Sequence, residues 1–398
     1  MLFIPAMKIS PIFTEFFESE KTGGLILIGC TGLSLFLSNS GFGEPYLSFW
    51  HRHLDLSFLN IHLDYSLIHW INDGLMTLFF LLVGLEIERE IYDGELAEWR
   101  NALLPIFAAI GGMIVPALLH LSLNIGRSSQ SGLGIPMATD IAFALGVLSL
   151  LGKRIPSSLK IFLAALAIID DLGAVVIIAL FYTRTLSLFH FGLVIIIFSF
   201  LILLNRLKVN RQIVYLIPGL VMWYAMLKSG IHPTTGGIAL AFAIPFHKDK
   251  RLCPSFRLQH FLHTPVSFLV LPVFALANTG VVLGSNWYLS LTGNNSAGIL
   301  LGLILGKPLG IILFSLLAVK TGLARLPDDL AFRHLIGAGF LAGIGFTMSI
   351  FITNLAFTDP DLITHSKIAI LLASTIAGPL GYIWLYATSK TTPSPSDG

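Results

Sequence analysis

The chain has 398 residues, of which 55% are hydrophobic and 12% charged, with a formal net charge of +2. A soluble domain carries about 25% charged residues and has no means of hiding a mean hydropathy of +0.83, whereas a bilayer absorbs such surface in stretches of about 20 residues. These numbers exclude an ordinary soluble domain and give no ground for a nucleic-acid partner.

In chain order, the opening MLFIPAMKIS is too short and too soon interrupted to read as a signal peptide. Apolar runs then predict about twelve membrane spans, near 22–39, 67–86, 102–123, 132–152, 157–182, 187–205, 212–227, 229–246, 258–283, 297–319, 334–356 and 366–388. The expected fold class is an all-α polytopic membrane protein, with one membrane domain over 1–390. Between the first two spans, 41–66 holds Trp50, three histidines and alternating runs such as HLDLSF, which predict a small hairpin or interfacial segment. Small residues suited to close helix pairing recur, as at Gly111-Gly112 and in the every-fourth set Ala138, Ala142 and Gly146. Cys30 and Cys253 form no CxxC or metal-ligand pattern. The tail 391–398, TTPSPSDG, reads as disordered.

Lys and Arg placement orients the spans. With the N-terminus inside, 18 cations fall on the cytoplasmic side, among them Lys8, Lys21, Arg100, Lys153, Lys248, Lys250, Arg251 and Lys390, against 5 outside: Arg52, Arg127, Arg184, Lys228 and Lys367. That asymmetry predicts both termini in the cytoplasm. Lys307 alone is left inside a span.

Five ionisable residues lie at depth: Asp73, Asp140, Asp170, Asp171 and Lys307. Each costs about 2.5–3.5 kcal/mol at a helix centre, about 12–18 kcal/mol together before pairing. One structural ion pair with Lys307 would leave three acids unexplained, so the set reads as functional. Asp170 and Asp171 are adjacent in AALAIIDDLGAVVIIAL, about 100° apart around one helix. Two such carboxylates cannot both stay ionised cheaply, so their titrations are coupled. A pair like this holds protons and releases them when a cation supplies the missing positive charge.

In Gly134–Ala144, Pro136 removes a backbone donor beside Thr139 and Asp140. A helix broken at depth exposes carbonyl and amide groups, which is tolerated only beside a cavity or inside protein. With the Thr139 hydroxyl and the Asp140 carboxylate these are hard oxygen ligands, suited to Na⁺ or Li⁺. Glycines at 337, 339, 343 and 345 predict a second interruption, and a continuous helix through that stretch is not expected. Interrupted spans in corresponding places point to repeats. The units 102–182 and 297–388 each hold three spans with the broken one in the middle, and they begin seven spans apart, so the repeats are expected to be inverted, with two broken helices crossing near the membrane centre. Lys307, in LGKPLG, is expected to pair with Asp170 or to offset the helix ends at the breaks, and, since it responds to the carboxylates, it is also a candidate carrier of a transported proton.

The segments GIPMATDIAFALG (134–146), IDDLGA (169–174), GKPLGI (306–311), LAGIGFTMSIFI (341–352), NDGLMTLFFLLVGLEIERE (72–90) and SGIHPT (229–234) resemble those of the NhaA-type Na⁺/H⁺ antiporters, in the same order across nearly the whole chain. This family is itself a known example of inverted-repeat architecture. The resemblance implies a bacterial inner-membrane antiporter, commonly a homodimer in membrane lipid, without cofactor, carrying sodium or lithium ions against protons and activated at alkaline pH. It implies that Asp170 and Asp171 bind the cation and the protons, with Thr139 as a further possible cation ligand. Thr139 and Asp140 would belong to the broken-helix assembly, Lys307 would be the intramembrane base, and Asp73 a supporting acid. The pH response falls by resemblance to Glu86, Glu90, Arg211, His232, His260 and His263. Around them Glu86, Glu88, Glu90, Asp93, Glu95 and Glu98 face two bases, Arg89 and Arg100, an acidic rim that attracts cations. Glu88, Asp93, Glu95 and Glu98 read equally well as a solvated helix end. At Gln259 the chain departs from the many relatives that carry an acid there.

With Asp140, Asp170, Asp171 and Lys307 ionised the site sums to −2, so one Na⁺ or two protons reduce its charge. A passive cation channel, an intramembrane aspartyl protease and a transporter of a small organic solute are the rival readings. The protease needs aspartates on separate helices, and a carrier of anionic solutes needs a basic cluster at depth. Neither pattern is present.

Overall fold

The computed structural model describes residues 11–57, 62–94, 97–183, 186–247 and 253–389. The opening MLFIPAMKIS, Lys8, Glu95, Arg184, Lys248, Lys250, Arg251, Lys390 and the tail 391–398 lie outside the described residues. In lipid every backbone polar group must be bonded within the protein, so apolar runs of this length become helices. They are α1 (Pro11–Ser38), α2 (Gly43–Trp50), α3 (Leu67–Asp93), α4 (Trp99–Asn124), a 3₁₀ helix (Ser128–Met137), α5 (Ile141–Ser149), α6 (Ser157–Phe181), α7 (Leu188–Arg206), α8 (Ile213–Ser229), α9 (Thr234–Ala243), α10 (Pro254–Asn278), α11 (Asn294–Lys320), α12 (Phe332–Ala342), α13 (Phe346–Ala356) and α14 (Pro360–Thr388). Single π-helical turns interrupt α3 at Trp70–Leu75, α10 at Val266–Val270 and α11 at Gly302–Gly306.

Among the described residues eight helical segments are long and apolar enough to cross a membrane, or ten if each bent pair is one span. The bent pairs are Thr22–Ser38 with Gly43–Trp50, at 119°, and α12 with α13, at 49°. Two runs that the sequence reads as full spans, 212–227 and 229–246, form the shorter apolar helices α8 and α9. Gly230, at φ +90°, ends α8 in the left-handed conformation that favours glycine, and α9 starts only at Thr234.

The chain divides into two compact units. Unit 1 takes residues up to Leu25, Glu95–Ala174 and everything from Asn286 onward. Its core is a cluster of buried side chains that includes Leu104, Leu145, Leu163, Ile311, Leu335 and Leu341. Here α4 lies along α11 with Gly111 against Gly310: a Cβ on either would strike the other's carbonyl oxygen. Small residues permit this close approach of two backbones in a membrane. Gly310→Leu is therefore expected to force the helices apart and lower the thermal midpoint in detergent, at a cost of about 1–3 kcal/mol or more. An unchanged midpoint would contradict this packing.

Unit 2 comprises Ile26–Gly94 and Val175–Ser285. In it α3 packs on α9 at two glycines, Gly84 against Ile238 and Ala241, and Gly237 against Thr77 and Leu81. After α2 the chain makes a two-stranded antiparallel hairpin, β1 (His53–Asp55) with β2 (Asp64–Ser66), in register His53–Ser66 and Asp55–Asp64. Hydroxyls anchor this end to α10: Ser34 Oγ and Tyr46 Oη both donate to the Leu276 carbonyl, at 2.9 and 2.6 Å.

Candidate functional site

The site grows out of two helix breaks in unit 1. Residues 128–137 wind as a 3₁₀ helix of ten residues, longer than such helices usually run. The backbone then opens at Ala138 (ψ 149°) and Asp140 (ψ 102°), and α5 begins at Ile141. The second break is confined to 343–345. The sequence predicted an interruption from Gly337 onward, but α12 runs unbroken through Gly337 and Gly339. Those two glycines serve packing instead, one against Leu385 and the other against Pro308. At Gly343 a side chain would collide with the Leu303 carbonyl oxygen.

The two breaks are bonded to each other. Asp140 N–H donates to the Ile344 carbonyl at 2.7 Å, and Ser349 Oγ donates to the Ile135 carbonyl at 2.7 Å. The rings of Phe143 and Phe346 lie 5.1 Å apart just beyond the breaks.

Four helix ends meet here, and each is given a partner of the right sign. Asp140 Oδ1 caps α5 by accepting from Phe143 N–H at 3.0 Å. Its Oδ2 accepts from Thr347 N–H at 3.1 Å and from the Thr347 hydroxyl, at the start of α13. A carboxylate therefore stands at two helix N-termini, each carrying roughly half a positive charge. The carbonyl ends are served by donors. Lys307 Nζ donates to the Met137 carbonyl at the end of the 3₁₀ helix, and Thr139 Oγ1 lies 3.0 Å from the Ala342 carbonyl at the end of α12.

Asp170, on α6, joins the same group. Its Oδ2 is 2.8 Å from Lys307 Nζ and 2.7 Å from Thr139 Oγ1. Its Oδ1 accepts no hydrogen bond among the described residues. Asp171 follows on α6, and Asp140, Asp170, Asp171 and Lys307 are all at most 2% exposed. Lys307 thus contacts both Asp170 and a helix C-terminus. The oxygen atoms brought together belong to carboxylates, a hydroxyl and backbone carbonyls. That donor set suits a hard monovalent cation as cargo.

Asp73 is placed in unit 2, on the π turn of α3. Two imidazoles bracket its carboxylate, His69 Nε2 at 3.2 Å and His232 Nε2 at 3.4 Å, and its carbonyl accepts from Trp223 Nε1 at 2.9 Å. His232 thus stands beside Asp73. Glu86 is buried, Glu90 is half-buried and bonded to Arg89 at 2.8 Å, His263 is half-buried, and Arg211 and His260 are exposed.

Among the buried polar groups to which the sequence assigns no site role are Glu88, His120 and Lys367. Glu88 is only 4% exposed and is no solvated helix end. Periodicity carries no signal here, since every residue from Phe80 to Glu88 is buried. His120 is fully buried and bonds Asn295 at 3.1 Å, which in turn donates to Ser366 at 2.7 Å. Lys367, assigned by sequence to an outer span end, is 9% exposed. Nothing in the local pattern of the last two distinguishes them from interfacial residues.

Apolar helices of membrane length, interrupted where buried charges gather, define a polytopic α-helical membrane protein of the transporter class. The chain belongs to the Na⁺/H⁺ antiporter 1 family, whose sequence profile matches residues 14–385. It is 58% identical over 386 residues to the Na(+)/H(+) antiporter NhaA of Flavobacterium psychrophilum, covering 97% of this chain and 98% of that one. It is 57% identical to the NhaA antiporter of Dechloromonas aromatica, over 95% of this chain and 96% of the relative. The corresponding protein of Escherichia coli O1:K1 is 48% identical, over 93% and 97%.

Proposed function

We infer that this protein exchanges Na⁺, or Li⁺, for protons across a membrane. One observation carries the reading: Asp170 and Asp171 are adjacent buried carboxylates, while Asp140 is committed to two helix N-termini and Lys307 to Asp170 and a helix C-terminus. The exchanging unit is then the aspartate pair, with Asp140 and Lys307 as the fixed background. Starting at −2, one Na⁺ brings the four-residue site to −1 and two protons bring it to zero. Cation and protons compete for the same oxygens, and exchange of one Na⁺ for two H⁺ moves net charge, so a membrane potential drives sodium out.

Thr139 links the chemistry to the helix ends. Its hydroxyl has one hydrogen and two acceptors, Asp170 Oδ2 and the Ala342 carbonyl. An ionised Asp170 takes that hydrogen. A protonated Asp170 donates to Thr139 instead, freeing the hydrogen for the end of α12. Thr139→Val is expected to reduce exchange at least about tenfold, the effect of roughly one hydrogen bond to a charged group, whereas Thr139→Ser keeps it. Equal exchange rates in the two variants would contradict this role.

Around that site we read inverted repeats over 102–182 and 297–388, about twelve crossings with both ends cytoplasmic, and alternating access by rocking of helical bundles about the breaks. A bacterial inner membrane, a homodimer and activation at alkaline pH complete the reading, with Glu86, Glu90, Arg211, His232, His260 and His263 as the pH-responsive set and Asp73 in support. The protein in proteoliposomes carrying an internal pH dye tests it: added sodium should move protons in the opposite direction. No sodium-dependent pH change between pH 6 and 9 would refute it.

A further inference from the structure

Lys367 is a buried cation that the helix breaks do not use. It lies on α14 in unit 1, is 9% exposed, and makes no hydrogen bond or ion pair among the described residues. Its neighbour Ser366 belongs to a directional chain. The Ser366 hydroxyl donates to the Leu362 carbonyl and accepts from Asn295 Nδ2, whose Oδ1 faces His120 Nε2. That chain is complete without the lysine.

No carboxylate balances the ammonium. Asp359, before α14, and Asp361, in its first turn, are exposed, and His365 is half-buried. α14 packs on α5, α11, α12, α13 and the 3₁₀ turn Trp287–Thr292. α5 and α13 carry no titratable side chain, and the 3₁₀ turn carries only the exposed Tyr288. On α11 the charged groups are Lys307 and Lys320, and on α12 they are Arg333 and His334, in its first turn. All of these are bases.

Ser374 lies seven residues on, nearly two full turns of α14, and so projects from the same side as Lys367. Its Oγ accepts from Phe346 N–H at 3.2 Å, at the second break, one residue before Thr347, which holds Asp140. Two turns of helix and the length of a lysine place the ammonium about 15 Å from the carboxylates of the site.

An unpaired buried ammonium destabilises a fold, so packing gives no reason for a lysine here. Its charge does. When one Na⁺ replaces two protons the charge of the site falls by one, and a nearby positive charge favours that replacement. At about 15 Å and an effective dielectric of about 20, one unit charge changes the equilibrium about fivefold. We propose that Lys367 sets the choice between sodium and protons at the aspartate pair, as a fixed positive charge that tilts their competition toward Na⁺. The one-for-two exchange inferred above is its premise.

The test follows the thermal midpoint of the purified full chain against NaCl, with choline chloride at equal ionic strength as control. It is run at a pH where the sodium response still depends on pH, so that protons compete. Sodium that binds the folded state raises the midpoint. Lys367→Met should need about fivefold more Na⁺ for the same rise, and its midpoint without sodium should not fall, since an unpaired charge has gone. Lys367→Arg keeps the charge and should keep the wild-type requirement. An unchanged requirement in Lys367→Met, or an equal shift in Lys367→Arg, overturns the proposal. So does a Lys367→Met that does not fold, because the lysine is then structural. A wild type that binds sodium against protons but exchanges none in proteoliposomes refutes the exchange reading alone, and a wild type with no sodium-induced rise refutes both.

Discussion

Asp171→Asn is expected to abolish sodium-dependent proton movement while leaving the protein folded. The amide matches the carboxyl in size, and the hydrogen bonds described above between the helix breaks do not use the Asp171 side chain. What is lost is charge. The site begins at −1 instead of −2, and one of two proton-binding groups is gone. Sodium then meets a single aspartate already paired with Lys307 at 2.8 Å. Since one pH unit corresponds to about 1.4 kcal/mol, no modest change of pH restores a group that does not titrate. Reconstituted variant and wild type, matched for thermal midpoint, should differ by the whole of the exchange signal. Normal exchange in the variant would remove the aspartate pair from the mechanism.

Asp140→Ala should fail differently, by weakening the fold of unit 1 as well as stopping exchange. Its carboxylate accepts from Phe143 N–H, Thr347 N–H and the Thr347 hydroxyl. Alanine leaves those buried donors and two helix N-termini without their acceptor. A hydrogen bond to a charged group contributes about 1.5–3 kcal/mol, and removing one partner of a buried charged assembly costs about 3–5 kcal/mol. The expected readout is a clearly lowered thermal midpoint in detergent together with lost exchange. Asp140→Asn, which still offers one acceptor oxygen, should lie between alanine and wild type. A midpoint equal to wild type in Asp140→Ala would show that the carboxylate does not hold the two breaks.

These two cases also mark what the sequence discloses. The membrane class follows from composition, and Pro136 beside Thr139-Asp140 announces the first break without any coordinates. Asp140's second task could not be read, because Thr347 lies 207 residues away and nothing local says which helix end it meets. The second break is narrower than the glycine run suggests, for a related reason. Glycine runs mark both interruptions and close packing, and only the neighbours Leu385 and Pro308 show that Gly337 and Gly339 belong to packing. Lys307 had two candidate partners, and both were occupied. Glu88 is hidden by its charge: a glutamate near a helix end reads as solvated, although it closes an unbroken buried run that starts at Phe80.

The most direct test of the account follows ²²Na⁺ and protons together in proteoliposomes with the membrane potential clamped. Obligatory exchange predicts that sodium efflux stops when counter-moving protons are withheld and resumes when an inward proton gradient is imposed. Sodium efflux that continues at the same rate without proton movement would contradict the account and make the protein a passive path for cations.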